Sequence, residues 1–260
     1  MQKQVEKVLK GKKVLLTRPL EGMEEFYRKL DFEGAKVISR PLIELNAAKD
    51  QSKIDAALDK LEDFEWLVFN SPASVKFFFQ RIEERGIKMY FYPDLKIATV
   101  GEKTKMKLEQ LGYRTNFVPI EFTAEVLAAN LPNVAGKQIL IPASNLSGQD
   151  YIRAFEKRGG LPHQHVLYEN RPIHLSEGEK KKTIDQIPDY LTFTSGSAVR
   201  SFDANFGNPQ YSFDPAQVVC IGPSTAATAA ELNWKIDSVA APHTVEGMIQ
   251  AMKRLEEQTP

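Results

Sequence analysis

The sequence has little of what marks a cofactor enzyme, a membrane protein or a secreted one. It carries one cysteine, Cys220, in 260 residues. A lone thiol forms no internal disulfide and cannot assemble a cysteine-based zinc site within the chain. No sign of charge dominates. Lys and Arg number 34 against 34 Asp and Glu, which excludes a broadly electropositive nucleic-acid coat. No apolar run approaches the roughly 18–20 residues needed to span a bilayer. The opening Met1–Lys13 is basic and amphipathic but lacks the apolar core and small-residue cleavage site of a secretory signal. G-x-G-x-x-G and G-x-x-x-x-G-K-[ST] are both missing, so nicotinamide, flavin and ATP readings lose their best support. G-x-S-x-G is missing too, which argues against a serine hydrolase. The four histidines are scattered. His163 and His165 would share one face of a strand, but a metal site needs more ligands nearby. His174 and His243 read as isolated surface or loop residues. These absences lead to the expectation of a cytoplasmic protein with no cofactor, no metal, and no nucleic-acid or membrane partner.

What is present is an α/β pattern. Hydrophobic residues are 42% and charged residues 26%, ordinary for a globular chain, and the length fits one large or two small domains. Short β-rich runs read as strands at Val14–Leu16, Lys36–Ile38, Trp66–Phe69, Ile97–Val100, Arg114–Phe117, Ile139–Ile141, His165–Tyr168, Tyr190–Phe193 and Val218–Ile221. Amphipathic stretches between them read as helices at Glu24–Phe32, Ala73–Arg85, Glu102–Leu111, Thr123–Leu131 and Gln149–Lys157. The alternation predicts parallel sheets covered on both faces. Gly86, Gly112 and Gly159 are placed as helix stops. Ser176 and Glu179 have capping-box spacing, and Lys180–Lys182 reads as the solvated face of the helix they open.

The chain also repeats itself. Gly11-Lys12-Lys13-Val14-Leu15-Leu16 returns 125 residues on as Gly136-Lys137-Gln138-Ile139-Leu140-Ile141. Leu67-Val68-Phe69-Asn70-Ser71 returns after 124 as Leu191-Thr192-Phe193-Thr194-Ser195, and Ile97-Ala98-Thr99-Val100-Gly101 after 121 as Val218-Val219-Cys220-Ile221-Gly222. Three matches in order at nearly constant offset imply two similar α/β halves.

Ligands of open parallel sheets bind outside the carboxyl ends of the strands. Here those ends read Thr17-Arg18-Pro19, Asn70-Ser71-Pro72, Gly101 with Thr104, Ala143-Ser144-Asn145, Thr194-Ser195-Gly196-Ser197 and Gly222-Pro223-Ser224-Thr225. Each offers a hydroxyl or amide beside the free N–H groups of a starting helix, a setting that favours anions. For any one loop, helix capping explains the residues as well; as a set they suit a multiply anionic ligand. Ser224 is expected to cap its helix and leave Thr225 facing the ligand. Tyr168 closes a strand, either as a packing residue or with its hydroxyl turned into a crevice.

With these residues assembled, the chain resembles the uroporphyrinogen-III synthase family. The carriers are Val14-Leu15-Leu16-Thr17-Arg18-Pro19, Phe69-Asn70-Ser71-Pro72-Ala73-Ser74-Val75, Val166-Leu167-Tyr168-Glu169, Phe193-Thr194-Ser195-Gly196-Ser197-Ala198-Val199, Ile221-Gly222-Pro223-Ser224-Thr225-Ala226 and Thr244-Val245-Glu246-Gly247-Met248. Departures are Asn70 for a threonine, Ala143-Ser144 for Arg-Gly, and Asn233 for a helix-ending glycine. The resemblance implies two similar parallel-sheet α/β domains joined by a two-stranded hinge, with a cleft between them. One domain would hold residues 1–39 and 173–260, the other 44–167, with linkers at 40–43 and 168–172. It further implies cyclisation of hydroxymethylbilane, a linear tetrapyrrole, to uroporphyrinogen III. Tyr168 would help the hydroxyl leave. Thr17, Arg18, Ser71, Gly101, Thr104, Ser144, Thr194, Ser195, Gly196, Ser197, Gly222, Ser224 and Thr225 would contact substrate. Gln217, Lys103 and Arg200 are polar residues without an assigned place. A monomer is expected, because no long apolar stripe is left over. The competing readings are a non-catalytic two-lobed binding protein for an anionic small molecule and a two-lobed glycosyltransferase. The second lacks a nucleotide signature.

Overall fold

A computed structural model describes residues 7–18 and 23–258. Pro19, counted among the strand-end residues, lies outside them. The elements run β1 (Lys13–Leu16), α1 (Glu24–Phe32), β2 (Lys36–Ser39), β3 (Ile43–Ala47), α2 (Ser52–Leu58), β4 (Trp66–Phe69), α3 (Pro72–Glu84), β5 (Lys96–Thr99), α4 (Glu102–Glu109), α5 (Ala124–Asn130), β6 (Gln138–Ser144) and α6 (Asp150–Lys157). They continue with β7 (Leu161–Pro172), α7 (Glu177–Ile184), β8 (Tyr190–Phe193), α8 (Gly196–Phe206), α9 (Pro209–Ser212), β9 (Gln217–Cys220), α10 (Pro223–Glu231), β10 (Ser238–Val239) and α11 (Val245–Gln258). The chain divides into two compact units, Met1–Glu44 with Arg171–Pro260, and Leu45–Asn170. Both crossings fall inside strands, β3 and β7.

The first sheet has the order β10-β9-β8-β1-β2, and all its pairs are parallel. The second has the order β3-β7-β6-β4-β5. Its pairs are parallel from β7 to β5. At its edge Ala48 N–H donates to Leu167 O and Ile173 N–H to Leu42 O, so β3 runs antiparallel to β7. The sequence repeat maps onto these sheets. The offsets pair β1 with β6, β8 with β4, and β9 with β5, and both sheets hold them in the same order. Each sheet therefore combines the first strand of one repeat with later strands of the other.

Core packing follows the alternation of side chains along strands. In the first unit Val14, Leu16 and Tyr190 face Phe26 and Leu30 of α1 and Met248, Ile249 and Met252 of α11. Phe193 turns to the other face, against Phe202 and Trp234 at 5.2 Å each. In the second unit Leu67 and Phe69 pack with Phe78 and Ile82 of α3, while Trp66 and Val68 pack with Leu127 of α5 and Phe155 of α6. β4 and β8 are buried along their whole length, as strands covered on both faces must be.

Local signals hold where their physics is local. Gly86, Gly112 and Gly159 have φ of +68°, +84° and +75°, and Asn233 takes φ +58° at the end of α10, the left-handed stop that glycine and asparagine tolerate. The Ser176–Glu179 capping box is formed. Lys180 and Lys181 pair with Glu177 and Asp185 on their own helix, a solvated face. Two expectations are corrected. Residues 114–117 form no strand: Ala98 and Phe117 make a single bridge, and the Asn116 side chain takes the Ile97 N–H at 2.8 Å where a strand carbonyl would sit. Ser224 does not cap α10. The N-cap is Gly222, with no side-chain cap bond, and the Ser224 carbonyl accepts from the Thr228 hydroxyl at 3.2 Å.

Gly196 sets the approach of α8 to α10. A Cβ there would stand 2.5 Å from Thr228 Oγ1 and 3.2 Å from Thr228 Cβ. Gly196→Ala should therefore cost about 1–3 kcal/mol by overpacking, seen as a melting temperature roughly 2–10 °C lower. An unchanged melting curve would refute the close approach.

Candidate functional site

The carboxyl ends of both sheets carry the same construction. After β4, Ser71 caps α3: its hydroxyl accepts Ser74 N–H at 3.1 Å, and the Ser74 side chain returns the bond. After β8, Ser195 caps α8 by accepting Ala198 N–H at 3.3 Å, with Ser197 Oγ 3.0 Å away. After β5 and β9 the N-caps are glycines, Gly101 and Gly222, so the first-turn N–H groups have no side-chain acceptor. Three residues on from each, Thr104 and Thr225 are 4% and 5% exposed. One position before each serine cap stands a buried oxygen without a hydrogen-bond partner among the described residues, Asn70 Oδ1 after β4 and Thr194 Oγ1 after β8. Native proteins leave few such atoms, and each asks for an explanation. Here they sit at equivalent points of a repeat, beside helix starts that favour negative charge.

Tyr168 lies on β7 with 7% of its surface exposed. Its ring stacks on Phe77, centroids 5.1 Å apart and planes 5° from parallel, and its hydroxyl lies 2.9 Å from Ser71 Oγ. Ser71 Oγ already accepts Ser74 N–H. When Ser71 spends its own proton on the Tyr168 oxygen, the phenolic proton stays available to a third group. A second phenol, Tyr151 on α6, was not legible in the sequence. It accepts from Asn70 Nδ2 at 2.9 Å and donates to Gln164 Oε1 at 3.1 Å. Burial pushes its pKa up to about 12, so it stays protonated and its proton is committed.

The other strand-end residues divide by what they touch. Thr17 is buried and its hydroxyl donates to Thr192 O at 3.0 Å, which turns it into the sheet. Arg18 is half-buried just beyond it. Ser144 ends β6 opposite Tyr168 in register; its hydroxyl is held by Ser147 Oγ at 3.2 Å and Leu146 N–H at 3.2 Å. Asn145 N–H donates to Tyr168 O at 3.2 Å. Gly196 and Ser197 open α8, and Ser224 is exposed on α10. Gln217 begins β9, at the opposite end from its carboxyl edge. Lys103 is exposed on α4, and Arg200 pairs with Glu231 at 3.8 Å on the surface. Hollows of about 570 Å³ along α1 and α11 and about 460 Å³ along α7 and α8 flank helices rather than strand ends.

No group of three or more His, Cys, Asp or Glu is placed to hold a metal among the described residues. His163 and His165 do share a face of β7, ring centroids 6.3 Å apart. His163 Nε2 bonds Gln138 Oε1 and its ring meets Phe64 edge to face. His165 Nδ1 is buried without a hydrogen-bond partner among the described residues.

Both sheets thus end in paired serine-capped and glycine-capped helix starts, a construction that holds anions on backbone N–H groups and hydroxyls. Comparison with known proteins gives this class a family. The chain matches the family described as uroporphyrinogen-III synthase HemD over residues 24–250. It is 29% identical over 262 residues to the uroporphyrinogen-III synthase of Synechococcus elongatus, covering 98% of this chain and 99% of that one. It is 26% identical over 251 residues to that of Chlorobaculum parvum, covering 93% and 100%. Among solved structures it is similar to the Helicobacter pylori uroporphyrinogen-III synthetase, with TM-score 0.65, 17% identity and coverage of 94% and 99%. It is also similar to a mutant of the Thermus thermophilus synthase, with TM-score 0.62, 15% identity and coverage of 95% and 100%. At those identities the structures establish the fold. The chain belongs to the uroporphyrinogen-III synthase family.

The histidine pair gives a testable pH dependence. Burial, then neighbouring His163 and Lys53, lower the His165 pKa below its usual 6.5. Between the two values the unfolded chain binds a proton that the folded chain refuses. Stability is therefore full above about pH 6.5 and falls as pH drops toward the folded value. His165→Gln should lose less stability than wild type between pH 7.5 and 5.5, measured by urea unfolding. Parallel losses would contradict the assignment.

Proposed function

We propose that the protein cyclises hydroxymethylbilane to uroporphyrinogen III, with loss of water and inversion of the terminal ring. The observation that carries this reading is the doubled construction at the strand ends. Each sheet offers a serine cap, a glycine cap, a buried threonine in a helix first turn and an orphan polar oxygen. The substrate carries eight carboxylates. In this reading they are taken up at Ser71, Gly101, Thr104 and Ser144 in one unit and at Arg18, Thr194, Ser195, Gly196, Ser197, Gly222, Ser224 and Thr225 in the other, with Thr17 bracing its strand end. The linkers at 40–43 and 168–172 are proposed as the hinge of the protein. The protein works as a cytoplasmic monomer, and the tetrapyrrole is its partner.

The chemistry asks little of the protein beyond position. The hydroxymethyl oxygen leaves as water after accepting a proton, and the pyrrole nitrogen lone pair forms the azafulvene. The substituted carbon of the terminal pyrrole attacks it to give a spiro intermediate. That intermediate fragments and closes again at the other α-carbon, and loss of a proton restores the aromatic ring. Tyr168 is the group proposed to hydrogen-bond the departing hydroxyl, with Ser71 orienting its phenol. Electron-rich pyrroles supply most of the reactivity, and holding the chain in one closing geometry supplies the rest.

Purified protein given hydroxymethylbilane should yield isomer III after oxidation and chromatographic separation. Only the spontaneous isomer I would exclude the enzyme and favour the binding protein. Tyr168→Phe should lower turnover about tenfold, toward the low side of acid–base effects because the leaving step is intrinsically easy. Wild-type turnover would remove Tyr168 from the mechanism. Thr225→Val should lower kcat/KM about three- to tenfold at unchanged melting temperature, since Thr225 makes no cap bond. A lower melting temperature with normal kcat/KM would make Thr225 structural.

A further inference from the structure

The repeat extends further than its strands. Phe122-Thr123-Ala124-Glu125 returns 121 residues on as His243-Thr244-Val245-Glu246, the same offset that relates Gly101 to Gly222 and Thr104 to Thr225. The structure keeps the equivalence. The Thr123 hydroxyl accepts Val126 N–H at 3.1 Å at the start of α5, and the Thr244 hydroxyl accepts Gly247 N–H at 3.1 Å at the start of α11. The residue before each threonine lays its side chain on the glycine that opens the neighbouring helix. A Cβ on Gly101 would meet Phe122 Cβ at 3.4 Å, and one on Gly222 would meet His243 Cγ at 3.4 Å. Two glycine-capped helix starts, each with a buried threonine, are thus covered by two rings. One ring is apolar, with Phe122 60% exposed. The other is an imidazole.

The imidazole is held, not merely exposed. His243 Nδ1 lies 2.7 Å from Ala240 O. A carbonyl only accepts, so Nδ1 carries a proton and Nε2 is the ring's remaining polar atom. The loop behind it is seated on the first turn of α11, because a Cβ on Gly247 would fall 1.9 Å from Pro242 O. Beside the ring, the first turn of α10 carries Thr225, 5% exposed. The hydroxyl of Thr225 has no hydrogen-bond partner among the described residues. The Gly222 start therefore gathers first-turn N–H groups, the hydroxyl of the buried Thr225 and an imidazole nitrogen. The Gly101 start offers a phenyl ring instead, and its helix opens with Glu102 and Lys103 where α10 opens with Pro223 and Ser224.

We propose that His243 is a substrate-binding residue that holds one carboxylate of the tetrapyrrole through Nε2–H at the Gly222 helix start, whereas Phe122 presents the equivalent start to an apolar part of the substrate. This rests on the reading of the protein as a tetrapyrrole cyclase and adds a residue to its site. The two rings, together with Glu102 in the first turn of α4 and no acidic residue in that of α10, give the two helix starts different preferences, and so help fix which way round the substrate lies.

The test is steady-state kinetics with hydroxymethylbilane, joined to a titration with uroporphyrin III, the oxidised octacarboxylate, followed by its absorbance. His243→Phe imitates the Phe122 position and so has a geometry this fold already accommodates; His243→Ala serves if it fails to fold. The expected result is a KM and a uroporphyrin Kd raised about three- to tenfold, kcat within twofold and an unchanged melting temperature. His243→Gln, which keeps a donor, should recover most of the KM. Wild-type KM and Kd in His243→Phe, or equal losses in the Phe and Gln variants with a lowered melting temperature, would overturn the proposal. A wild-type protein that makes no isomer III, yet binds uroporphyrin more tightly than His243→Phe, would sink the cyclase reading and leave the carboxylate site standing.

Discussion

The pairing of β1 with β8 is the constraint on which the first sheet depends. β1 lies at the start of the chain, and its partner lies more than 170 residues away. Backbone pairing runs Val14 to Tyr190 through Leu16 to Thr192. Side chains reinforce it from both sides: the Thr192 hydroxyl donates to Leu15 O at 2.7 Å, the Thr17 hydroxyl to Thr192 O at 3.0 Å, and Lys13 N–H to Asp189 Oδ2 at 2.7 Å. Buried polar groups satisfied in this way specify one register, because a slip would strand each of them. Closing so long a loop delays this contact in folding. The second unit needs no such closure from the N-terminus, since β4, β5, β6 and β7 lie within one continuous stretch.

Because all strands but β3 run the same way within their sheets, every βα connection after β1, β4, β5, β6, β8 and β9 emerges at one edge of its own sheet. That single fact gathers residues scattered along the sequence. It brings Ser71 against Tyr168, nearly a hundred positions apart, and sets Thr194 and Ser195 beside the Gly222 helix start. The polar groups there include hydroxyls, amides and backbone N–H groups, with Arg18 after β1 and the Glu102–Lys105 pair on α4. A charged network links Asp55 on α2 with Arg81 and Arg85 on α3. A site of weak, dispersed donors suits a reaction whose difficulty is conformational.

How far the sequence discloses this depends on whether a signal is local. Trp66–Phe69 and Tyr190–Phe193 are legible to the residue because strands buried on both faces are unbroken apolar runs. Glu24–Phe32 is legible because its apolar positions recur at helical spacing. β3 is not, because it is an edge strand whose Glu44 and Ala47 are exposed, so it reads as a linker. The order of strands is invisible to periodicity, although the repeat encodes it once the sheets are known. Among strand-end residues, the hydroxyls announce themselves as helix starts, but which hydroxyl caps is decided by backbone geometry: Gly222, not Ser224, opens α10. Tyr151, Phe122 and His243 belong to helices and loops whose neighbours only the fold reveals. The signal for the last two was present all the same, in the offset of 121 that aligns Phe122 with His243.

The central claim is that the carboxyl edges of the two sheets, and not the hollows along the helices, receive the polycarboxylate substrate. A crystal structure of the protein with uroporphyrinogen III tests it most directly. The account predicts ligand carboxylates within hydrogen-bond distance of the first-turn N–H groups of α3, α4, α8 and α10, with the Tyr168 hydroxyl turned toward the macrocycle. A ligand bound along α1 and α11 or along α7 and α8, with those helix starts empty, would contradict it.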